Sequence, residues 1–111
     1  MKVIKTSDIE TEDITTNTLE GKATRQSIIG KTGEGFTVSA VSFIKGTARA
    51  YDSHSFDQVL YITEGKGLIK TETEEVTVTP GTFVFIPAGE KHSHNATKDS
   101  GFSQVTIGIS H

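Results

Sequence analysis

Apolar residues in this chain recur with a period of two in short runs, and each run is cut by glycine or proline. A period of two is the signature of strands that present alternate side chains to opposite faces of a sheet. Residues 36–44 form the longest run, with Phe36, Val38 and Ile44 on one face and Val41 and Phe43 on the other. A strand apolar on both faces is covered on both sides, and in so small a chain the second cover is expected to be another subunit. Gly46 breaks this run, and residues 58–63 make the next strand, ended by Glu64-Gly65-Lys66-Gly67. Residues 68–71 and 75–79 pair as a hairpin around an acidic tip at 72–74, and Pro80-Gly81 makes a turn. Residues 82–86 form a short apolar strand stopped by Pro87-Ala88-Gly89. A short strand at 92–96 and a polar loop at 98–101 lead to a closing strand at 102–110, with Val105, Ile107 and Ile109 on one face.

The N-terminal part is less patterned. Residues 2–5 are expected as a short strand and 6–9 as a capped helical turn. Residues 10–21 read as an irregular surface segment or an arm packing on a partner, 25–29 as a strand closed by Gly30, and 31–35 as a glycine loop. Many short strands with glycine turns predict an all-β sandwich or closed barrel.

A chain of 111 residues has the length of one domain, expected here as a single unit with residues 1–23 as an arm and 36–109 as the barrel core. Net charge is −3 with scattered Lys and Arg, which argues against nucleic acid as a partner. Cysteine is absent, so disulfides and thiolate ligands are excluded. No apolar run approaches the ~18 residues of a membrane span, and no leader pattern opens the chain. A cytoplasmic location is expected.

The chemistry concentrates near the histidines, His54, His92, His94 and His111. In an extended segment Asp52, His54, Phe56 and Gln58 share a face, which Leu60 and Ile62 continue inward. Polar donors therefore sit at the mouth end of the strand and aliphatic residues deeper. Imidazole nitrogen, carboxylate oxygen and amide oxygen are all ligands for a divalent metal.

At these residues the chain resembles the cupin family, in its small single-domain form. The family's first motif, G-x5-H-x-H-x3-E-x6-G, is matched by Gly46, Asp52, His54, Gln58 and Gly65, with Asp52 at the first His position and Gln58 at the Glu position. The second, G-x5-P-x-G-x2-H-x3-N, is matched by Gly81, Pro87, Gly89 and His92, with Ala96 in the Asn slot and Asn95 one residue early. Two motifs in the right order make a specific signal. The resemblance implies a jelly-roll barrel (double-stranded β-helix) holding one divalent ion (Mn, Fe, Ni or Zn) through Asp52, His54, Gln58 and His92. It is similar to a Gln-containing subgroup with metal-dependent lyase, isomerase and decarboxylase members.

Moving the carboxylate from the fourth slot to the first keeps one negative charge in the ligand set. Asp52 is either a ligand or a turn cap, and Gln58 either a ligand or a hydrogen-bonding support for one. His94 shares a face with His92 and is a candidate proton carrier in the pocket, since an imidazole titrates near working pH. His111, at the chain's end, is expected to be disordered and uninvolved. Phe56, Phe83, Phe85 and Phe102 are expected in the core or pocket wall, and Glu72, Glu74 and Glu75 at a solvated tip. The implied function is metal-dependent chemistry on a small carbonyl, organic-acid or sugar-acid substrate, of lyase, isomerase, decarboxylase or oxygenase type. The alternative is a non-catalytic module binding a small molecule or a metal. Assembly as a homodimer is expected, through the outer face of 36–44 with Val59 and Tyr61.

Overall fold

Alternation along the strands builds two antiparallel sheets that face each other. The structure is a computed structural model and describes residues 1–30 and 35–109. Positions 31–34 of the loop read at 31–35, the end of the last strand at Ser110, and His111 lie outside the described residues.

The strands in chain order are β1 (Glu12–Asp13), β2 (Thr18–Glu20), β3 (Ala23–Ile29), β4 (Phe36–Phe43), β5 (Ala48–Arg49), β6 (Asp57–Gly65), β7 (Gly67–Thr71), β8 (Glu75–Val78), β9 (Phe83–Ile86), β10 (His92–Ala96) and β11 (Phe102–Ile109). One sheet has six strands in the order β1-β3-β4-β11-β6-β9, the other five in the order β2-β5-β10-β7-β8. This is the expected all-β jelly roll. The hairpin β7–β8, the turn at Gly81 (φ 89°) and the strand at 92–96 lie where periodicity and turn residues put them.

Val41 and Phe43 of β4 point inward, as do Leu60 and Ile62 of β6 and Phe102 of β11. With Ile69, Val78 and Ile86 they form the core, in which Phe43 and Phe102 stack with ring centres 4.6 Å apart. Leu60 and Ile62 are fully buried. The outward face of the six-stranded sheet is also apolar. Ile107 stands opposite Val38 and Val59, Val105 opposite Ala40 and Tyr61, and Tyr61 opposite Phe83.

Four expectations are corrected. Residues 2–5 form no strand, and the 3-10 turn Thr6–Asp8 that follows has no side-chain cap. Residues 10–21 are not irregular: β1 joins β3 in one sheet, a 3-10 turn follows at Thr15–Asn17, and β2 joins β5 in the other. Strands of two or three residues are too short to show a period, and only their partners reveal them. The two-residue β5 escaped sequence reading for the same reason. Phe83 and Phe85 are not core residues but are 69% and 61% exposed, because β9 is an edge strand whose odd positions face outward.

Among the described residues, no helix is long and apolar enough to cross a membrane.

Leu60 sits at the centre of this packing, so Leu60→Ala is expected to destabilise the fold by about 2–5 kcal/mol. Urea unfolding of the variant beside wild type measures it; a loss under about 1 kcal/mol would mean that the core is not centred there.

Candidate functional site

Along each inward face, polarity is graded. Reading β4 from its start gives Thr37, Ser39, Val41 and Phe43; reading β11 backwards gives Gly108, Thr106, Gln104 and Phe102; reading β6 forwards gives Gln58, Leu60 and Ile62. The apolar ends close the barrel as core. The polar ends line a cavity of about 510 Å³ between the sheets. The five-stranded sheet adds Arg49, His92 and His94, and the loop before β6 adds Asp52, His54 and Phe56.

Backbone hydrogen bonds bring the two histidine segments together. Asp52 N–H donates to His92 O (2.8 Å) and His92 N–H to Asp52 O (2.9 Å), an isolated antiparallel bridge. Opposed residues in such a pair project to the same face. The Pro87-Ala88-Gly89 turn ahead of β10 is tied to the same segment, Gly89 N–H donating to His54 O (2.7 Å) and Ala88 N–H to Asp57 Oδ1 (2.9 Å). Gly89 has φ 83°, a left-handed conformation that glycine adopts without strain.

Three imidazoles result. The His54 and His92 ring centres are 5.0 Å apart and tilted by 63°; those of His92 and His94 are 5.1 Å apart and nearly perpendicular. Phe56 stacks on His54 at 4.8 Å, and Phe43 stacks beneath His94 at 5.9 Å. His92 Nδ1 lies 2.9 Å from Glu90 O. A carbonyl only accepts, so Nδ1 carries the proton and Nε2 presents a lone pair.

That lone pair has no partner. Among the described residues, buried side-chain atoms without a hydrogen bond include His92 Nε2, His94 Nδ1, Gln58 Oε1 and Gln104 Oε1, all on residues lining this one cavity. Leaving such groups unmet costs about 1–3 kcal/mol each, which a fold tolerates where a ligand supplies the partner. A divalent ion is one such partner for lone pairs. Two imidazoles sharing an ion at about 2.1 Å hold their ring centres roughly 4.5–5.5 Å apart, so His54 and His92 fit that requirement. Gln58 adds an unmet amide oxygen. Among the described residues, however, no three His, Asp or Glu side chains converge as one ligating group. Asp52 is exposed at the rim, and its Oδ1 accepts the Ser53 N–H at 2.8 Å, as a turn cap would.

Burial, then the neighbouring His92, holds the His54 pKa below its ordinary value, with Asp52 working the other way. His94 is enclosed except on its cavity side. Burial first, then His92, Arg49 and His54, push it down to about 3, against the Gln104 amide, which favours the protonated ring. At neutral pH His94 is therefore a neutral imidazole and not the ready proton carrier that its ordinary titration range implies.

Sequence reasoning placed Asp52, His54, Gln58, His92 and His94 at one cavity, and all five line it. It missed Arg25, Arg49 and Gln104. The polar face of β11, with Gln104 and Thr106 between outward Val105 and Ile107, carried a readable signal. Arg49 carried none, since β5 is only two residues long.

Residues 39–107 match the family model described as Cupin domain. No curated protein matches the chain. Several solved structures share its fold. A cupin-like protein from Thermotoga maritima is 23% identical, with 92% of this chain and 80% of that one covered and a TM-score of 0.82. A predicted oxalate decarboxylase from the same organism is 20% identical over 99% and 100%, TM-score 0.87. The polyketide cyclase RemF from Streptomyces resistomycificus is 20% identical over 100% and 80%, TM-score 0.84.

The depressed histidines set a pH dependence. With His94 at its ordinary value of 6.5, the unfolded chain binds more protons than the folded one between 6.5 and about 3, so stability falls as pH drops through that window, and His54 adds in the same direction. Each such group contributes a slope of up to about 1.4 kcal/mol per pH unit. Urea unfolding of the metal-free protein between pH 7 and 5 is expected to show this loss, and His94→Gln to flatten it. Identical slopes for the two proteins would show that the ring is not held neutral.

Proposed function

The chain belongs to the cupin family, and from that premise we propose that it binds one divalent metal ion through His54, His92 and Gln58 and acts with it on a small oxygen-rich molecule held in the barrel. The observation that carries this reading is the set of unmet buried groups around one cavity, above all His92 Nε2, whose tautomer is fixed by Glu90. When bound, such an ion supplies Lewis acidity toward a carbonyl or a developing oxyanion. Asp52 at the rim adds negative charge toward the cation from beside His92.

The remaining work falls to the chain's own side chains. Thr37, Ser39 and Thr106 offer hydroxyls along one wall, and Gln104 Nε2 donates to Thr106 Oγ1 (3.0 Å), fixing the direction of that pair. His94, neutral, orients the bound molecule by hydrogen bonding. Phe43 and Phe56 close the apolar sides and limit water. One structural neighbour is described as a polyketide cyclase and another as a predicted oxalate decarboxylase. Polyketides and oxalate are rich in carbonyl and carboxyl oxygen, and this polar cavity suits lyase, isomerase or decarboxylase chemistry on molecules of that kind.

Elemental analysis of the purified protein is expected to give one divalent ion per chain, with His54→Ala and His92→Ala each weakening metal affinity by at least about tenfold. Full loading of His92→Ala would place the metal elsewhere. A wild type that loads metal but turns over no carbonyl or acid substrate would make the protein a binding module.

The apolar outer face of the six-stranded sheet supports a homodimer. Tyr61, Phe83 and Phe85 are 36%, 69% and 61% exposed and stand on adjacent strands, a grouping that solvent disfavours. Light scattering at micromolar concentration is expected to give twice the chain mass, and Tyr61→Glu with Phe83→Ser to give the monomer. A monomeric wild type would refute it.

A further inference from the structure

The cavity holds a second set of unmet groups with the opposite demand. Arg25 projects into it from β3 of one sheet and Arg49 from β5 of the other. The Nε–H of each is buried and has no hydrogen-bond partner. A metal ion answers bare lone pairs such as those of His92 Nε2 and Gln58 Oε1 but cannot answer N–H donors. The donors call for an anion. A ligand that satisfies both sets carries oxygen atoms for a metal and a negative charge for the guanidiniums.

Resting on the metal-site reading above, we propose that Arg25 and Arg49 form a carboxylate-binding subsite, and that the molecule this cavity takes is a small organic acid bound as its anion.

Both arginines are held in place. Arg49 N–H donates to Asn95 Oδ1 (3.1 Å), its Nη2 to Ile14 O (3.1 Å), and its guanidinium carbon lies 5.9 Å from the centre of the Phe43 ring. Arg25 Nη2 donates to Glu12 Oε2 at 3.3 Å. A planar fork already positioned loses little freedom on gripping a carboxylate. The charges agree. Glu12, Asp13 and Asp52 line the cavity with the two arginines. Adding a divalent ion leaves one surplus positive charge, which a monoanion neutralises. Arg25 and Arg49 also repel each other, Arg25 adding to the burial that lowers the Arg49 pKa, and an anion between them relieves that. The volume of about 510 Å³ is that of a small-molecule site.

The test is calorimetric titration of the full chain, metal-free and loaded with Mn²⁺, with pyruvate and with its neutral isostere pyruvamide, measuring the metal content of every variant. Pyruvate is expected to bind, and pyruvamide to bind at least about tenfold more weakly. Arg25→Gln and Arg49→Gln are each expected to weaken pyruvate by about ten- to a hundredfold, leave pyruvamide unchanged and retain the metal. Equal affinity for acid and amide, binding of neither, or variants that bind pyruvate like wild type would overturn the proposal. Where a Gln variant does not fold, Arg25→Lys and Arg49→Lys replace it; they keep the charge but lose the fork, and unchanged pyruvate affinity in them is equally fatal. A protein that binds no metal yet prefers the acid through these arginines removes the metal reading and leaves the subsite. One that loads metal but ignores the acid does the reverse.

Discussion

The site depends on a very short piece of backbone pairing, the bridge between residues 52 and 92. Neither residue lies in a long ladder on that side, yet each donates to the other's carbonyl, at 2.8 and 2.9 Å. The pairing decides which way the side chains point. With residue 92 facing the cavity, residue 52 is brought to its rim, and the short loop from 53 to 56 carries His54 and Phe56 to the same cavity before β6 begins with Gln58 facing in. The neighbouring ties, Gly89 to His54 and Ala88 to Asp57, keep the turn before β10 from drifting. Two imidazoles distant in sequence are thereby fixed by main-chain geometry, which costs far less entropy than positioning them through flexible side chains alone.

The six-stranded sheet has its usual polarity reversed over half its length. Above the core, Thr37, Ser39, Gln58, Gln104 and Thr106 face in, while Val38, Val59, Tyr61, Val105 and Ile107 face out. A polar interior costs stability wherever its groups lack partners, and an apolar exterior costs stability wherever it meets water. One reversal thus creates two demands: a ligand on the inside and a cover on the outside. They call for different species, but they arise from the same alternation, since moving any one of these strands by one residue would exchange them.

Much of this was legible in the chain, and the limits are physical. Runs of four or more alternating residues, such as β4, β6 and β11, declare themselves as strands. The graded inner face from Asp52 to Ile62 showed which end of β6 is the mouth. The spacing from Pro87 and Gly89 to His92 put that ring on the same site. What alternation does not show is which face of a two-faced strand is interior at an edge, and Phe83 and Phe85 were misread on that account. Nor does it show pairings of two residues, and so β1, β2 and β5 were invisible. Arg49 is a lone cation in a short polar stretch until Asn95 and Thr18 take β5 into a sheet. The low pKa of His94 comes from burial first, then from His92, Arg49 and His54, and of these neighbours only His92 is close to it in sequence.

The N-terminal segment shows why that blind spot matters. Through β1 and β2 it joins both sheets, and Thr47, fully buried, locks its end by accepting Lys22 N–H (3.1 Å) and donating to Lys22 O (3.0 Å). The same segment supplies Glu12 to Arg25 and the Ile14 carbonyl to Arg49. Each guanidinium therefore has one edge held by the segment while its Nε remains unmet inside. Lifting the segment would do three things together: release both arginines, remove the Glu12 carboxylate that partly cancels their charge, and admit water that screens what charge is left. Closure of the barrel and the placing of its two guanidiniums are accordingly one structural event, made by residues whose sequence carries no strand pattern at all.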